Sequence, residues 1–386
     1  MSKALAGEVA ELIAFVRQQY ATEEFIPLHA PRFEGREKEL VVDCIDSTFV
    51  SSVGKYVTQF EEEMARYVGA KHAVATVNGT QALFIALKLM GAAPGKLVLT
   101  QALSFAATCN AIWYTGAEPV FLDVDRDSMG LSPAALERYL SEEAEQVGDK
   151  WFDKAQGKEI CAIVPMHTCG FPAKIDVLTF LAERHGIPLV EDAAESLGSF
   201  YAGQHTGTFG TLGIFSFNGN KVITTGGGGM IVTNDSELAA HAKHLTTTAK
   251  RPHAWEFFHD EMGYNFRLPN LNAALGVAQM EKLEEFVQNK RVLAGSYRHF
   301  FEGKHIRFVE EADQVRANYW LNAVVLGDLS EREAFLEATN QAGVMTRPLW
   351  TPLNRLPYNK NCYHDSLENT DWLFDRVVNL PSSVRG

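Results

Sequence analysis

The sequence predicts an α/β protein: a mostly parallel sheet in a large domain, followed by a smaller α/β domain. Three observations carry this. Short apolar runs alternate with helix-patterned stretches from residue 73 to residue 191. Several of those runs end in residue types suited to the ligand-bearing edge of such a sheet. Past residue 211 the alternation gives way to a glycine-rich turn, a long apolar stripe and a second strand–helix–strand pattern.

The elements follow in order. Leu5, Val9, Leu12, Ile13 and Val16 recur at helical spacing, interrupted by Glu8, Glu11 and Arg17. The N-terminus therefore reads as an amphipathic helical arm, residues 1–30, and not as a signal peptide. Residues 73–77 read as a strand and 80–90 as the helix after Asn78-Gly79. Buried strands follow at 97–100 and 119–122, separated by a helix over 104–114. Two more, at 163–165 and 189–191, flank a helix over 175–185. Residues 211–217 and 230–233 flank Gly226–Gly229 and predict a hairpin-like pair. Leu271, Leu275, Ala278, Leu283 and Val287 form one apolar stripe, which predicts a single long helix. A strand near 306, a strand over 320–326 and a helix over 331–341 complete the smaller domain. The expected boundaries are a large domain over 31–255, then the long helix and small domain over 256–386.

Composition excludes several classes. At 386 residues with 46% hydrophobic content, the chain suits two domains sharing a core seam. No run approaches the roughly 20 apolar residues of a membrane span. A formal net charge of −13 argues against nucleic-acid binding, which needs a concentrated basic face. The five cysteines are scattered without CxxC spacing, so neither a disulfide framework nor a zinc centre is expected. Cys161, His167 and Cys169 lie close together but lack a second ligand pair, and no metal is assigned to them.

The chemistry concentrates in three places. In Phe215-Ser216-Phe217-Asn218-Gly219-Asn220-Lys221, a lysine follows an apolar run, a serine stands five residues before it, and four glycines come after it. In Glu191-Asp192-Ala193-Ala194-Glu195, the aspartate follows a short buried strand; it is either a cap or the partner of a buried cation. Asn78-Gly79-Thr80 passes from strand to helix, where it is either a cap or a phosphate cradle built from free helical N–H groups. Together they match what pyridoxal phosphate needs: a lysine to hold its aldehyde, an acid to keep its ring nitrogen protonated, and donors for its phosphate. Phe105 opens the helix after another strand, where it either stacks on a ring or belongs to the core. Gly226–Gly229 has no following GK[ST] and no GxGxxG context, so nucleotide-loop readings fail.

As a set, these residues resemble the DegT/DnrJ/EryC1/StrS family of sugar aminotransferases, from about Phe49 to the C-terminus. The resemblance implies the aspartate-aminotransferase type I fold, pyridoxal phosphate as cofactor, and a cytoplasmic homodimer with shared active sites. It also implies amino transfer from L-glutamate to a ketone on a nucleotide-activated sugar. Carried over by motif, Lys221 is the lysine that holds the cofactor and Asp192 the ring-nitrogen partner. Phe105 stacks on the ring, and Gly79, Thr80 and Ser216 bind phosphate. Asn265, in Gly263-Tyr264-Asn265-Phe266-Arg267, reaches the neighbouring subunit's phosphate. His167 matches a family motif near the site, with a core histidine as the alternative. Lys250, Arg251 and Arg267 are candidates for the substrate diphosphate or carboxylate, or else surface charges.

Two positions depart from the commoner family pattern. Glu195 stands near the cofactor's phenolic oxygen, where the family often has glutamine. Asn218-Gly219-Asn220 replaces a more usual His-Pro pair. With Thr246-Thr247-Thr248-Ala249-Lys250, they resemble the subgroup serving legionaminic acid and related 4-amino sugars. That points to a UDP- or GDP-linked 2-acetamido-2,6-dideoxy-hexos-4-ulose. The rival readings are a sugar dehydratase of the same family, with histidine in place of the lysine, an amino-acid aminotransferase or lyase on a similar fold, and a non-catalytic sugar-nucleotide-binding protein.

Overall fold

The computed structural model describes residues 3–386. Its centre is a seven-stranded sheet made of β1 (His72–Thr76), β2 (Lys96–Gln101), β3 (Glu118–Leu122), β4 (Glu159–Val164), β5 (Val190–Asp192), β6 (Leu212–Ser216) and β7 (Gly229–Thr233). Hydrogen bonding gives two ladders, β1-β7-β6-β5 and β3-β2-β4, the second extended beyond β4 by an antiparallel hairpin over Ala144–Val147 and Lys150–Asp153, and parallel bridges from Ile163 to Leu189 and from Met166 to Asp192 join the two. Among these seven, β7 alone runs against the rest: it is antiparallel to both β1 and β6, whereas β6–β5, β4–β2 and β2–β3 pair in parallel. The sheet is buried on both faces, as helical crossovers require, and its strands are accordingly near-continuous apolar runs.

This topology decides where chemistry can occur. Six strands share one direction, so their carboxyl ends lie along a single edge. β7 is reversed and enters from that edge, so the β6–β7 connection, residues 217–228, also lies there. The loops after β1, β2, β4, β5 and β6 therefore converge on one rim.

A second layer contains a four-stranded sheet of Arg307–Phe308, Asn322–Val325, Val377–Leu380 and Arg347–Pro348, in that spatial order. The N-terminal Lys3–Tyr20 helix packs here: Leu5, Val9, Leu12 and Val16 share a core with Leu293, Tyr297, Val324 and Phe335. The arm is thus part of the C-terminal layer's core.

Two expectations need correction. The apolar stripe beyond Leu271 belongs to two helices, Asn270–Met280 and Leu283–Phe301, with a break at Glu281-Lys282. Ala278 on the first and Leu283 and Val287 on the second are all buried, so the apolar period continues across a break that the pattern alone could not show. The antiparallel hairpin of Ala144–Val147 and Lys150–Asp153 was not expected, because its strands are only four residues long and mix charged with apolar side chains. None of the helices among the described residues is long and apolar enough to cross a membrane.

Candidate active site

The rim encloses a cavity of about 330 Å³, lined by Gly79, Thr80, Phe105, Asp192, Glu195, Ser216 and Lys221 among others. Of the eight residues the sequence offered for cofactor and catalysis, the fold brings these seven together and leaves Asn265 outside this chain's cavity.

Each is positioned by a local cause. Asn78 caps the Gly79–Leu89 helix in extended conformation, its side chain accepting the Gln81 N–H at 2.8 Å. The cap takes one orphan amide of the first turn; those of Gly79 and Thr80 are left for an external acceptor. This end packs tightly on the sheet. A Cβ on Gly79 would sit 2.9 Å from Ser216 Cβ, and one on Gly229 would lie 2.4 Å from the Asn78 carbonyl carbon. Glycine at both positions lets the helix terminus and the Ser216 hydroxyl face the same small volume.

Asp192 ends β5 and is almost fully buried. Its Oδ2 accepts the Thr108 hydroxyl at 2.8 Å and its Oδ1 the Ala194 N–H at 3.2 Å. Burial pushes the carboxyl above its ordinary range, against the pull of those two donors and of Lys221. Such a carboxylate gains from a cation placed in the cavity.

Lys221 sits in the β6–β7 connection, its backbone N–H closing a turn on the Asn218 carbonyl at 3.0 Å. Its amine lies 3.3 Å from Glu195 Oε1 and 4.1 Å from the centroid of the Trp320 ring. The Trp320 indole N–H donates to the Asn220 carbonyl at 2.6 Å, so one tryptophan from the C-terminal layer holds both the lysine's loop and its head. Glu195 accepts the Cys169 N–H on its other oxygen at 2.8 Å, and burial pushes its carboxyl up to about 7, with Lys221 pulling the other way. Cys169 adopts φ +56 to present that N–H, an unusual conformation for a non-glycine residue.

Other candidates lie elsewhere. His167 is fully buried and outside the cavity. Its Nδ1 accepts the Ala173 N–H at 3.1 Å, leaving Nε2 to donate to Glu191 Oε2 at 3.0 Å. Glu191 also accepts the amides of Gly207, Phe209 and Gly210, each at 2.7 Å, so the histidine braces the core behind the site. Arg267 is likewise buried, its two terminal guanidinium nitrogens tied to Glu61, and it is not among the residues lining this chain's cavity. Lys250 and Arg251 lie on an arm over residues 247–263, around a separate surface depression. There Lys250 covers the Phe257 ring at 4.1 Å and Arg251 pairs with Asp260 at 2.7 Å. Asn265 is exposed and bridged to Thr247, away from this chain's cavity.

Sequence reasoning missed Thr108, Trp320 and Trp350, all of which line the cavity. Thr108 lies one helical turn after Phe105, a spacing that could have flagged it. The tryptophans come from a layer whose docking no local pattern encodes.

The residues fit pyridoxal phosphate. The buried acid makes no ion pair among the described residues, the spare amides suit a phosphate, and Phe105, 52% exposed at the cavity wall with its ring 6.2 Å from that of Trp350, offers a face to a planar ring. The fold is that of the pyridoxal phosphate-dependent aminotransferases. The crystal structure of the aminotransferase TlmJ from Streptoalloteichus hindustanus superimposes with a TM-score of 0.84 at 26% identity, covering 93% of each chain.

The chain belongs to the DegT/DnrJ/EryC1/StrS aminotransferase family, which matches residues 31–385. EpsN of Bacillus subtilis (strain 168), named as a pyridoxal phosphate-dependent aminotransferase, is 37% identical over 364 residues, 92% of this chain and 90% of its own length. GDP-perosamine synthase of Escherichia coli O157:H7 is 34% identical over 361 residues, 93% of each.

Proposed function

We propose that the protein uses pyridoxal phosphate to transfer the amino group of L-glutamate to C4 of a UDP- or GDP-linked 4-keto-6-deoxy hexose. The sugar is a 2-acetamido-2,6-dideoxy hexose and the product feeds amino-sugar or surface-glycan biosynthesis in the cytoplasm. The observation that carries this reading is one amine, Lys221, facing the same cavity as a buried acid, Asp192, and two spare helix-terminal amides. The relative named GDP-perosamine synthase supports a nucleotide-linked sugar as the acceptor.

When bound, the cofactor supplies an electron sink that makes the hydrogen beside the transferred amine acidic. The residues of the chain do the rest. Asp192, oriented by the Thr108 hydroxyl, holds a positive charge at the far end of the ring site. Gly79, Thr80 and Ser216 bind the phosphate, and Phe105 covers a ring face. Lys221 Nζ takes the proton from the α-carbon of glutamate and, in the second half of the cycle, delivers one to sugar C4. Glu195 stands within reach of that amine as a second proton-bearing group.

The same reading makes the protein a homodimer. Val53, Trp255, Phe257 and Met262 are strongly exposed apolar side chains, Trp255 and Phe257 at 78% and 79%. A second copy covering them would bring Asn265, with Lys250 and Arg251, towards the partner's cavity.

The test is a panel of UDP- and GDP-linked 4-keto sugars with 15N-glutamate. Label in a 4-amino sugar product, with 2-oxoglutarate released, is the expected result. Loss of water from the sugar without label would establish the dehydratase reading instead. Transfer to 2-oxo acids without sugar would establish an amino-acid aminotransferase.

A further inference from the structure

The Lys221 amine lies between two groups from distant parts of the chain. Glu195 Oε1 stands 3.3 Å away on the loop after β5, and the Trp320 ring centroid 4.1 Å away on the C-terminal layer. One completely buried amide joins these two supports. Asn318 Nδ2 donates to the carbonyls of Glu195 at 2.8 Å and Leu197 at 2.9 Å, while its Oδ1 accepts the Trp320 N–H at 2.7 Å.

We propose that Asn318 is a positioning residue for Lys221, fixing the gap between Glu195 and Trp320 in which the amine is held. The inference rests on the reading of Lys221 as the lysine that receives the cofactor.

The connections close a ring. One path runs from Asn318 through Glu195 to the amine. The other runs through Trp320, whose indole N–H donates to the carbonyl of Asn220, the residue before Lys221. A third tie reaches the far oxygen of Glu195. The Asn318 N–H donates to Ser199 Oγ at 2.9 Å, and the Ser199 hydroxyl donates to the Gly170 carbonyl at 2.7 Å. The neighbouring Cys169 N–H is the one that Glu195 Oε2 accepts.

Two features show how tightly the arrangement is held. Tyr319, between Asn318 and Trp320, takes φ +49, a left-handed conformation that a bulky residue keeps only where surrounding contacts over-determine it. Asn318 Oδ1 closes that turn on the N–H two residues on, and the turn sets Trp320 in the cavity wall. Space is also cleared for the amide: at Gly170, φ +91, a Cβ would collide with Asn318 Oδ1. Position matters here because Lys221 Nζ must meet first the cofactor's aldehyde carbon, condensing with loss of one water, and then the hydrogen it removes. A misplacement of about 1 Å in such a geometry costs up to about a hundredfold in rate.

The experiment uses the full chain stripped of cofactor, as wild type, Asn318→Ala and the milder Asn318→Ser. Pyridoxamine phosphate carries an amine in place of the aldehyde, so its affinity reads the phosphate and ring contacts without Lys221. Pyridoxal phosphate is then added and borohydride applied at timed intervals, and the label on the Lys221 peptide gives the rate of condensation. The variants are expected to bind pyridoxamine phosphate within about twofold of wild type while condensing about ten- to a hundredfold more slowly. A merely structural amide would leave both readouts alone or weaken both in step. Either of those results in Asn318→Ala, or in Asn318→Ser should the alanine variant fail to fold, would overturn the positioning role alone. No label on Lys221 in the wild type would overturn the functional reading, and this inference with it.

Discussion

Glu195 offers the sharpest quantitative test. Its carboxyl ordinarily titrates near 4.5; burial raises it to about 7 in the folded chain, despite Lys221 at 3.3 Å. The folded state therefore holds a proton that the unfolded state has released between those two values. A raised acid contributes stability that is fully present below 4.5 and is lost as pH climbs through about 7. The gap corresponds to roughly 3 kcal/mol at about 1.4 kcal/mol per tenfold. Glu195→Gln replaces the carboxyl with a neutral group of the same shape, whose carbonyl can still accept the Cys169 N–H. Denaturant unfolding of cofactor-free wild type and variant at pH 4.5, 6 and 8 isolates the effect in the difference between the two. The wild type should lose ground progressively up to pH 7 and level off beyond it. Parallel stability curves across that range would refute the reasoning, since they would mean that Glu195 titrates alike in both states.

Four further outcomes are expected. Lys221→Ala should abolish turnover and eliminate borohydride trapping of pyridoxal phosphate on the chain, read by mass spectrometry of the peptide. Thr108→Val removes a hydrogen bond to a charged group, worth about 1.5–3 kcal/mol. It should weaken cofactor binding or slow turnover by roughly ten- to a hundredfold, measured by cofactor titration and single-turnover rates. Gly79→Ala forces a Cβ to 2.9 Å from Ser216 Cβ and should weaken inorganic phosphate as a competitor of cofactor loading. Glu61→Ala strands the buried Arg267 guanidinium, a loss of about 3–5 kcal/mol in denaturant unfolding.

The seven predicted residues that line the cavity were legible because they sit in short local patterns at strand ends. Asp192 follows an apolar run, Asn78-Gly79-Thr80 marks a helix start, and Lys221 precedes glycines; each signal is complete within about six residues. For His167 and Arg267 the sequence left open a site role and a role elsewhere, in the core or at the surface, for the opposite reason. A buried histidine bonded to Glu191 and an arginine bonded to Glu61 carry the same letters as ligand-binding residues, and their partners lie 24 and 206 positions away. The residues at 281–282 show a similar limit for the fold. An apolar period continues across a helix break whenever both helices face the same core, so the stripe alone counts one helix where there are two.

The reversed strand explains why Lys221 lies at this rim at all. If the chain continued from β6 into an ordinary crossover, residues after Ser216 would run into a helix directed away from the rim, as they do after β2. β7 instead returns antiparallel between β6 and β1, so the chain must turn within 217–228 at the edge where Asp192 and the Gly79 helix terminus already lie. Ser216 and Gly229 end opposite each other in register, and Gly229 sits against the Asn78 carbonyl. A side chain at Gly229 would push the helix terminus off the sheet and the β6–β7 turn with it. One substitution there would separate the Gly79 and Thr80 amides from the Lys221 amine, although none of those residues had been changed.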